Sequence, residues 1–205
     1  GGAGAGVPAS PYVGGEVRQR YASGVVHVAL AFEAAAAGSA DAAATAVLSA
    51  MLGATKTGGR LGAESVAISA ASFTSAYQGT GLLGVCGTAR AADAAGLTDF
   101  LSRCLTEAAG TASAAKELKR AKGVAKGALF AALETRSGTR DHIGTSVLAT
   151  GKAPAAAQLA AAIDAVSPED VKRVAAAALA TAPSVASLGA VRGVPRISAL
   201  AGRFR

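Results

Sequence analysis

Only two histidines, His27 and His142, are present in this chain. His27 sits between Val26 and Val28, with Glu33 six residues on. A zinc hydrolase needs two or three imidazoles on one face and a carboxylate to activate water. The chain has no His-x-x-Glu-His run, so both histidines read as structural and no metal or catalytic residue is assigned. The richest candidate for ligand contact is the loop Gly53-Ala-Thr-Lys-Thr-Gly-Gly-Arg-Leu-Gly62. Its glycines allow close backbone approach, and exposed N–H groups with Lys56 and Arg60 could hold an anion or a peptide carbonyl. It is not a phosphate-binding P-loop, because it follows a helix and lacks the Gly-Lys-Ser/Thr ending. The candidate contact residues are Gly53, Lys56, Gly58, Gly59, Arg60 and Gly62.

The elements that must position these residues are legible from periodicity. Residues 15–20 and 25–32 read as strands; in the second, Val26, Val28, Leu30 and Phe32 share one parity. Residues 34–40 form a loop or short turn. Residues 41–52 form a helix with Ala44, Val47, Leu48 and Met51 on one face. Strands at 67–77 and 82–88 flank the turn Gln78-Gly-Thr-Gly81. Helices follow at 93–109 and 113–136, then three more between Ser137 and Leu179. The last starts with Ser167-Pro-Glu-Asp170, where Ser167 caps, Pro168 fits the first position and two acids oppose the positive dipole end. Residues 184–190 read as a returning strand. Strands, then helices, then one strand define an α+β domain: a mixed, largely antiparallel sheet with helices on one face. Residues 1–11 read as a linker, 12–191 as the domain and 192–205 as a basic tail.

Composition narrows the function. Hydrophobic residues make up 51% of the chain but aromatics only 4%, with alanine the commonest residue. Such a core buries little area per residue, which suggests that partners supply part of the stability. The net charge of +7 could suit an anionic neighbour. With no Trp and three scattered Tyr there is no base-stacking platform, so nucleic acid is not an expected partner. Lys116, Lys119, Arg120, Lys122 and Lys126 read as a solvated helix face, with lipid headgroups as the alternative. Cys86 and Cys104 read as buried free thiols, with a single bridge left open. No apolar run reaches membrane-spanning length.

Several motifs together resemble one family. They are Tyr12-Val-Gly-Gly-Glu-Val-Arg18, Val26-His-Val-Ala-Leu-Ala-Phe-Glu33, Gly79-Thr-Gly-Leu-Leu-Gly-Val-Cys-Gly87, Arg140-Asp-His-Ile-Gly144, the Gly151…Pro154 punctuation and Ile163-Asp-Ala-Val-Ser-Pro-Glu-Asp-Val171. In order and spacing they are similar to the second half of proteins in the metallopeptidase family of pitrilysin and the mitochondrial processing peptidases. That family also contains the core proteins of the mitochondrial cytochrome bc1 complex. The resemblance spans residues 12–189 and implies the same α+β architecture. Active members carry an Arg-rich Gly-Leu-x-Tyr element where this chain has the uncharged Val66-Ala-Ile-Ser-Ala-Ala-Ser-Phe73, which implies a non-catalytic, core-type member without cofactors. By position, the 53–62 loop resembles the presequence-handling glycine loop of the processing peptidase α subunit, in a shorter form. The implied partners are another core-type subunit, further cytochrome bc1 subunits and an N-terminal half-domain if the parent chain is longer. The implied location is the matrix side of the mitochondrial inner membrane, reached through partners.

Overall fold

The computed structural model describes residues 11–54, 58–62, 66–110 and 115–204. Five strands form one mixed sheet: β1 (Gly15–Arg20), β2 (Val25–Ala34), β3 (Ser69–Ala76), β4 (Gly81–Arg90) and β5 (Ser184–Gly189). Their order across the sheet is β1-β5-β2-β4-β3. Only β1 and β5 run parallel; β2 lies antiparallel to both β5 and β4, and β3 antiparallel to β4. The expected turn between β3 and β4 is closed by Tyr77 N–H donating to Thr80 O at 2.8 Å. The α+β expectation holds.

The alternation in β2 decides which way the sheet faces. Val26, Val28, Leu30 and Phe32 are at most 1% exposed, whereas His27 and Ala29 on the other parity are partly open. The buried row packs against helices α1 (Ala42–Leu52), α2 (Ala94–Gly110) and α6 (Pro168–Leu179). Val85 and Leu83 of β4 and Val185 of β5 extend the same row to neighbouring strands through the register Leu30↔Val85, Phe32↔Leu83 and Leu30↔Val185. Alanines on the helices, among them Ala44, Ala108, Ala175 and Ala178, let the helix backbones approach closely. A second layer consists of α3 (Ala115–Glu134) and α5 (Ala156–Ala165), which pack over α1. Beyond it α4 (Arg136–Thr150) rests on α3 and buries no residue of its own.

Two helix boundaries have clear causes. The long helix expected through Arg136 breaks at Thr135, which leaves helical geometry and caps α4 by accepting from Gly138 N–H at 3.0 Å. Gly138 is required there because a methyl group would run into the Ala132 carbonyl oxygen. At α6 the cap matches expectation and is reciprocal. Ser167 Oγ accepts from Asp170 N–H at 3.1 Å, and Asp170 Oδ2 accepts from Ser167 N–H at 3.0 Å. Asp41, by contrast, makes no cap at α1, because both its oxygens take the guanidinium of Arg173 on α6, at 2.8 and 2.9 Å.

Residues 192–204, set apart in the sequence as a basic tail, contribute to the core. Val194 and Leu200 are buried, a short helix α7 (Ile197–Ala201) forms, and Phe204 meets Phe32 edge-on with ring centroids 4.9 Å apart. Arg203 pairs with Asp99 of α2. Arg18 of β1 reaches beneath the sheet to donate to the carbonyls of Val191, Val194 and Pro195 at 2.9–3.0 Å.

The α6 cap makes two predictions. Ser167→Ala should cost about 1 kcal/mol at neutral pH in urea unfolding. Hydrogen bonds from the Ser167 backbone and hydroxyl, then Arg173, hold the Asp170 carboxyl down to about 2 from 3.8. Its folded value lies below its unfolded one, so this stabilisation is complete above pH 3.8 and fades as pH falls toward 2. The part of the Ser167→Ala penalty that comes from the hydroxyl's bond to the Asp170 carboxylate should therefore shrink in acid, while the part from the Asp170 N–H bond remains. A penalty unchanged at pH 2 would mean that the hydroxyl does not help to hold the carboxylate.

Candidate functional site

The glycine loop begins where α1 ends. Gly53 adopts φ +70°, donates to Ser49 O at 2.9 Å, and leaves no room for a side chain against the Gly58 carbonyl. Ala54 N–H then donates to Gly58 O at 3.1 Å, which closes the loop upon itself. Gly58 and Gly59 both have positive φ, and Gly59 lies against the last carbonyls of α1. Gly62 N–H returns to Gly59 O at 3.2 Å. The closed loop is also fastened to the sheet: Ser72 N–H of β3 donates to Gly53 O at 2.9 Å, and Ala54 bridges to Ala71.

Five of the six candidate residues, Gly53, Gly58, Gly59, Arg60 and Gly62, thus belong to one tight structure; Lys56 lies outside the described residues. Arg60 does not point toward an incoming ligand. Its guanidinium turns inward to Glu117 of α3 at 3.1 Å and Glu107 of α2 at 3.5 Å, with its side chain only 15% exposed. Its carbonyl accepts from the Cys104 thiol at 3.8 Å, and the adjacent Leu61 is fully buried. The sequence could not show this orientation, because the two acids lie 47 and 57 residues away.

The histidines occupy separate structural roles. His27 Nδ1 meets the Thr88 hydroxyl at 2.8 Å across the β2–β4 pair. Glu33 shares its strand face but lies roughly 20 Å along it, at about 3.3 Å per residue. It accepts instead from the Thr80 hydroxyl at 2.9 Å. His142 Nε2 lies 3.1 Å from the Pro154 carbonyl and ties α4 to the segment that follows it. Cys104 is buried among the helices, as expected, while Cys86 is only partly buried on the opposite side of the sheet, and no disulfide joins them. Of the basic face on α3, Lys122 and Lys126 bind Asp164 of α5, at 2.9 Å to its carbonyl and 2.7 Å to its carboxylate, whereas Lys116, Lys119 and Arg120 are exposed.

One feature escaped the sequence reading. The sheet face away from the helices holds a shallow trough of about 300 Å³ over β5, β2, β4 and β3. Ala29, Ala71, Ala186, Cys86, Thr88 and Leu188 line it. The signal was present at the middle of the second parity of β2 and β4, where Ala29 and Ala31 lie beside Gly84 and Cys86. The trough offers apolar contact area and one imidazole, a surface for packing.

A one-sided sheet with an apolar back and a closed glycine loop defines a packing domain. Against known families, residues 4–124 match the Peptidase M16 inactive domain. The chain belongs to that family. It is 28% identical over 214 residues to a probable mitochondrial-processing peptidase subunit alpha-1 of Arabidopsis thaliana, covering 97% of this chain and 42% of that protein. It is 31% identical over 176 residues to cytochrome b-c1 complex subunit 2 of Rattus norvegicus, covering 80% and 39%. A chain of complex III2 from Candida albicans, solved with Inz-5 bound, superposes with a TM-score of 0.86 at 17% identity, over 94% of this chain and 49% of that one. The chain thus spans about half the length of the proteins it matches, or less.

Arg60→Ala should destabilise the domain by about 1 kcal/mol, since two charge-assisted contacts are lost and one of the acids is largely exposed. Urea unfolding at low and high salt checks this. An unfolding midpoint equal to that of the unaltered protein would mean that Arg60 is available for ligand.

Proposed function

We propose that this chain is the non-catalytic half-domain of a core protein 2-like subunit of the mitochondrial cytochrome bc1 complex. It acts as a scaffold that supports assembly on the matrix side of the inner membrane. The observation that carries the reading is the match, across most of this domain, to cytochrome b-c1 complex subunit 2, together with membership of an M16 family described as inactive. The chemistry of the chain agrees with it. The sequence contains no His-x-x-Glu-His, and its two histidines lie on β2 and α4, each in a hydrogen bond within the fold. Its partners on this reading are another core-type subunit, further cytochrome bc1 subunits and an N-terminal half-domain of a longer parent. Contact with the membrane passes through them, and no helix among the described residues is long and apolar enough to cross a bilayer.

A second reading, an α-type subunit of mitochondrial processing peptidase, is favoured by a specific feature. The described residues of the 53–62 loop are hydrogen-bonded to one another and fastened to β3, which supports a fixed surface on which a presequence could rest. Relatives named as α subunits match the chain about as well as the cytochrome subunit does.

Native separation of mitochondrial complexes followed by mass spectrometry distinguishes the two. The scaffold reading expects this chain to migrate with cytochrome b and a second core-type protein. Migration with a zinc-binding processing subunit, free of cytochrome b, would replace it by the second reading. The purified chain incubated with zinc should also leave a presequence peptide intact; chelator-sensitive cleavage by the chain alone would overturn the non-catalytic assignment.

A further inference from the structure

The two edges of the sheet are treated differently. At β3 the outer edge is partly occupied, since Ser72 N–H is bound to Gly53 O and Ala54 bridges to Ala71. At β1 nothing among the described residues covers the outer edge. Gly15 N–H donates to Pro183 O at 3.1 Å and Tyr21 N–H to Gly189 O at 3.3 Å, so the odd-numbered residues of β1 point their backbone groups toward β5. The N–H and C=O groups of Glu16, Arg18 and Arg20 therefore point outward. Of the residues before β1, 11–14 do not shield them: Gly14, at φ +62°, turns this segment back over the sheet, where the Tyr12 hydroxyl meets Ser184 Oγ at 2.8 Å. An open row of this kind is a template for another strand.

The sequence of this edge is complementary to itself. Placed antiparallel to a second copy about a twofold axis at Arg18, Glu16 falls opposite the Arg20 of the other copy, Arg18 opposite Arg18, and Arg20 opposite Glu16. These are the three residues whose backbone groups face outward, so each pair can exchange two N–H···O bonds. The side chains agree with that register. Two Glu–Arg pairs form across the junction, which favours it. The central arginines do not collide, because each is turned beneath its own sheet and held by Glu16 and the carbonyls of residues 191, 194 and 195. Glu16 accepts from Arg18 and from Ile197 N–H, and its two oxygens retain acceptor capacity for one more donor. Arg20 is exposed and available. On the open face Val17, 69% exposed, would be covered by Gln19 of the other copy.

We infer that β1 is a self-association edge, through which two copies of this chain join their sheets about a twofold axis centred on Arg18. The interface is isologous, so it closes at two copies and propagates no further. This goes beyond the scaffold reading and does not depend on it.

Cysteine cross-linking tests the register. Residues 17 and 19 of opposite copies form the closer, non-hydrogen-bonded pair, with Cα atoms about 4.5 Å apart, within disulfide reach. In a background carrying Cys86→Ser, the purified full chain with Val17→Cys and Gln19→Cys together should oxidise to a species of twice 19.7 kDa. Neither single variant should do so. Arg20→Glu places two carboxylates opposite each other at both ends. The variant's dissociation constant in sedimentation should be about tenfold or more above that of the unaltered protein, while the two melt alike at concentrations low enough for both to be monomeric. A chain that sediments as a monomer at every concentration tested would overturn the inference. So would a dimer that tolerates Arg20→Glu and fails to form the 17–19 cross-link.

Discussion

The structure depends on a single constraint: one strand, β2, must present a continuous apolar row to the helices and a row of small, mixed residues to the other side. Val26, Val28, Leu30 and Phe32 carry the first row, and they are the centre to which β4, β5, α1, α2 and α6 all attach. Because side chains alternate with a period of two, a register slip of one residue would bring His27 and Glu33 into the core and turn Phe32 outward. With few aromatics available, the helices compensate through alanine faces that approach the sheet closely. Phe32 and Phe204 form the one aromatic pair seen among the described residues, and it fastens the C-terminal residues beneath the sheet.

Electrostatics then sets how the layers are fixed to one another. Arg173 joins α6 to the start of α1 through Asp41, and to its own cap through Asp170, so one guanidinium links two helix N-termini. Arg60 does the same for the loop after α1, joining it to α2 and α3. Lys126 and Asp164 tie α3 to α5. These exposed or half-exposed pairs each contribute modestly. Their common effect is to fix the orientation of elements whose alanine-rich contacts are smooth and would otherwise allow sliding.

Local signals in the sequence marked local structure well. The parity of 26–32, the Gln78–Gly81 turn and the Ser167–Asp170 start each depend on residues close in the chain, and each appears as read. What escaped reading depends on distant partners. Asp41 opens the helix read over 41–52, but its carboxylate is taken by a residue 132 positions away. Arg60 looks like a free cation in a glycine loop but turns inward. The break at Thr135 was hidden because Ala131, Ala132 and Leu133 carry the helical pattern right up to it, and the close approach of Gly138 to the Ala132 carbonyl is visible only in the fold. The strand order, with β5 inserted between β1 and β2, has no local signature. The trough on the back of the sheet was readable in principle, since small residues cluster at the middle of the outward parity of two adjacent strands, at Ala29, Ala31, Gly84 and Cys86.

An inactive M16 domain with one face covered and the other lined by small residues is built to be packed against, and the account holds that its purpose is structural. Depleting this chain from cells and isolating their mitochondria tests that claim most directly, with assembled cytochrome bc1 complex and presequence cleavage followed in the same samples. The account expects the assembled complex and its quinol–cytochrome c oxidoreduction to be lost while precursors are still cleaved. Accumulation of uncleaved precursors with the complex intact would contradict it.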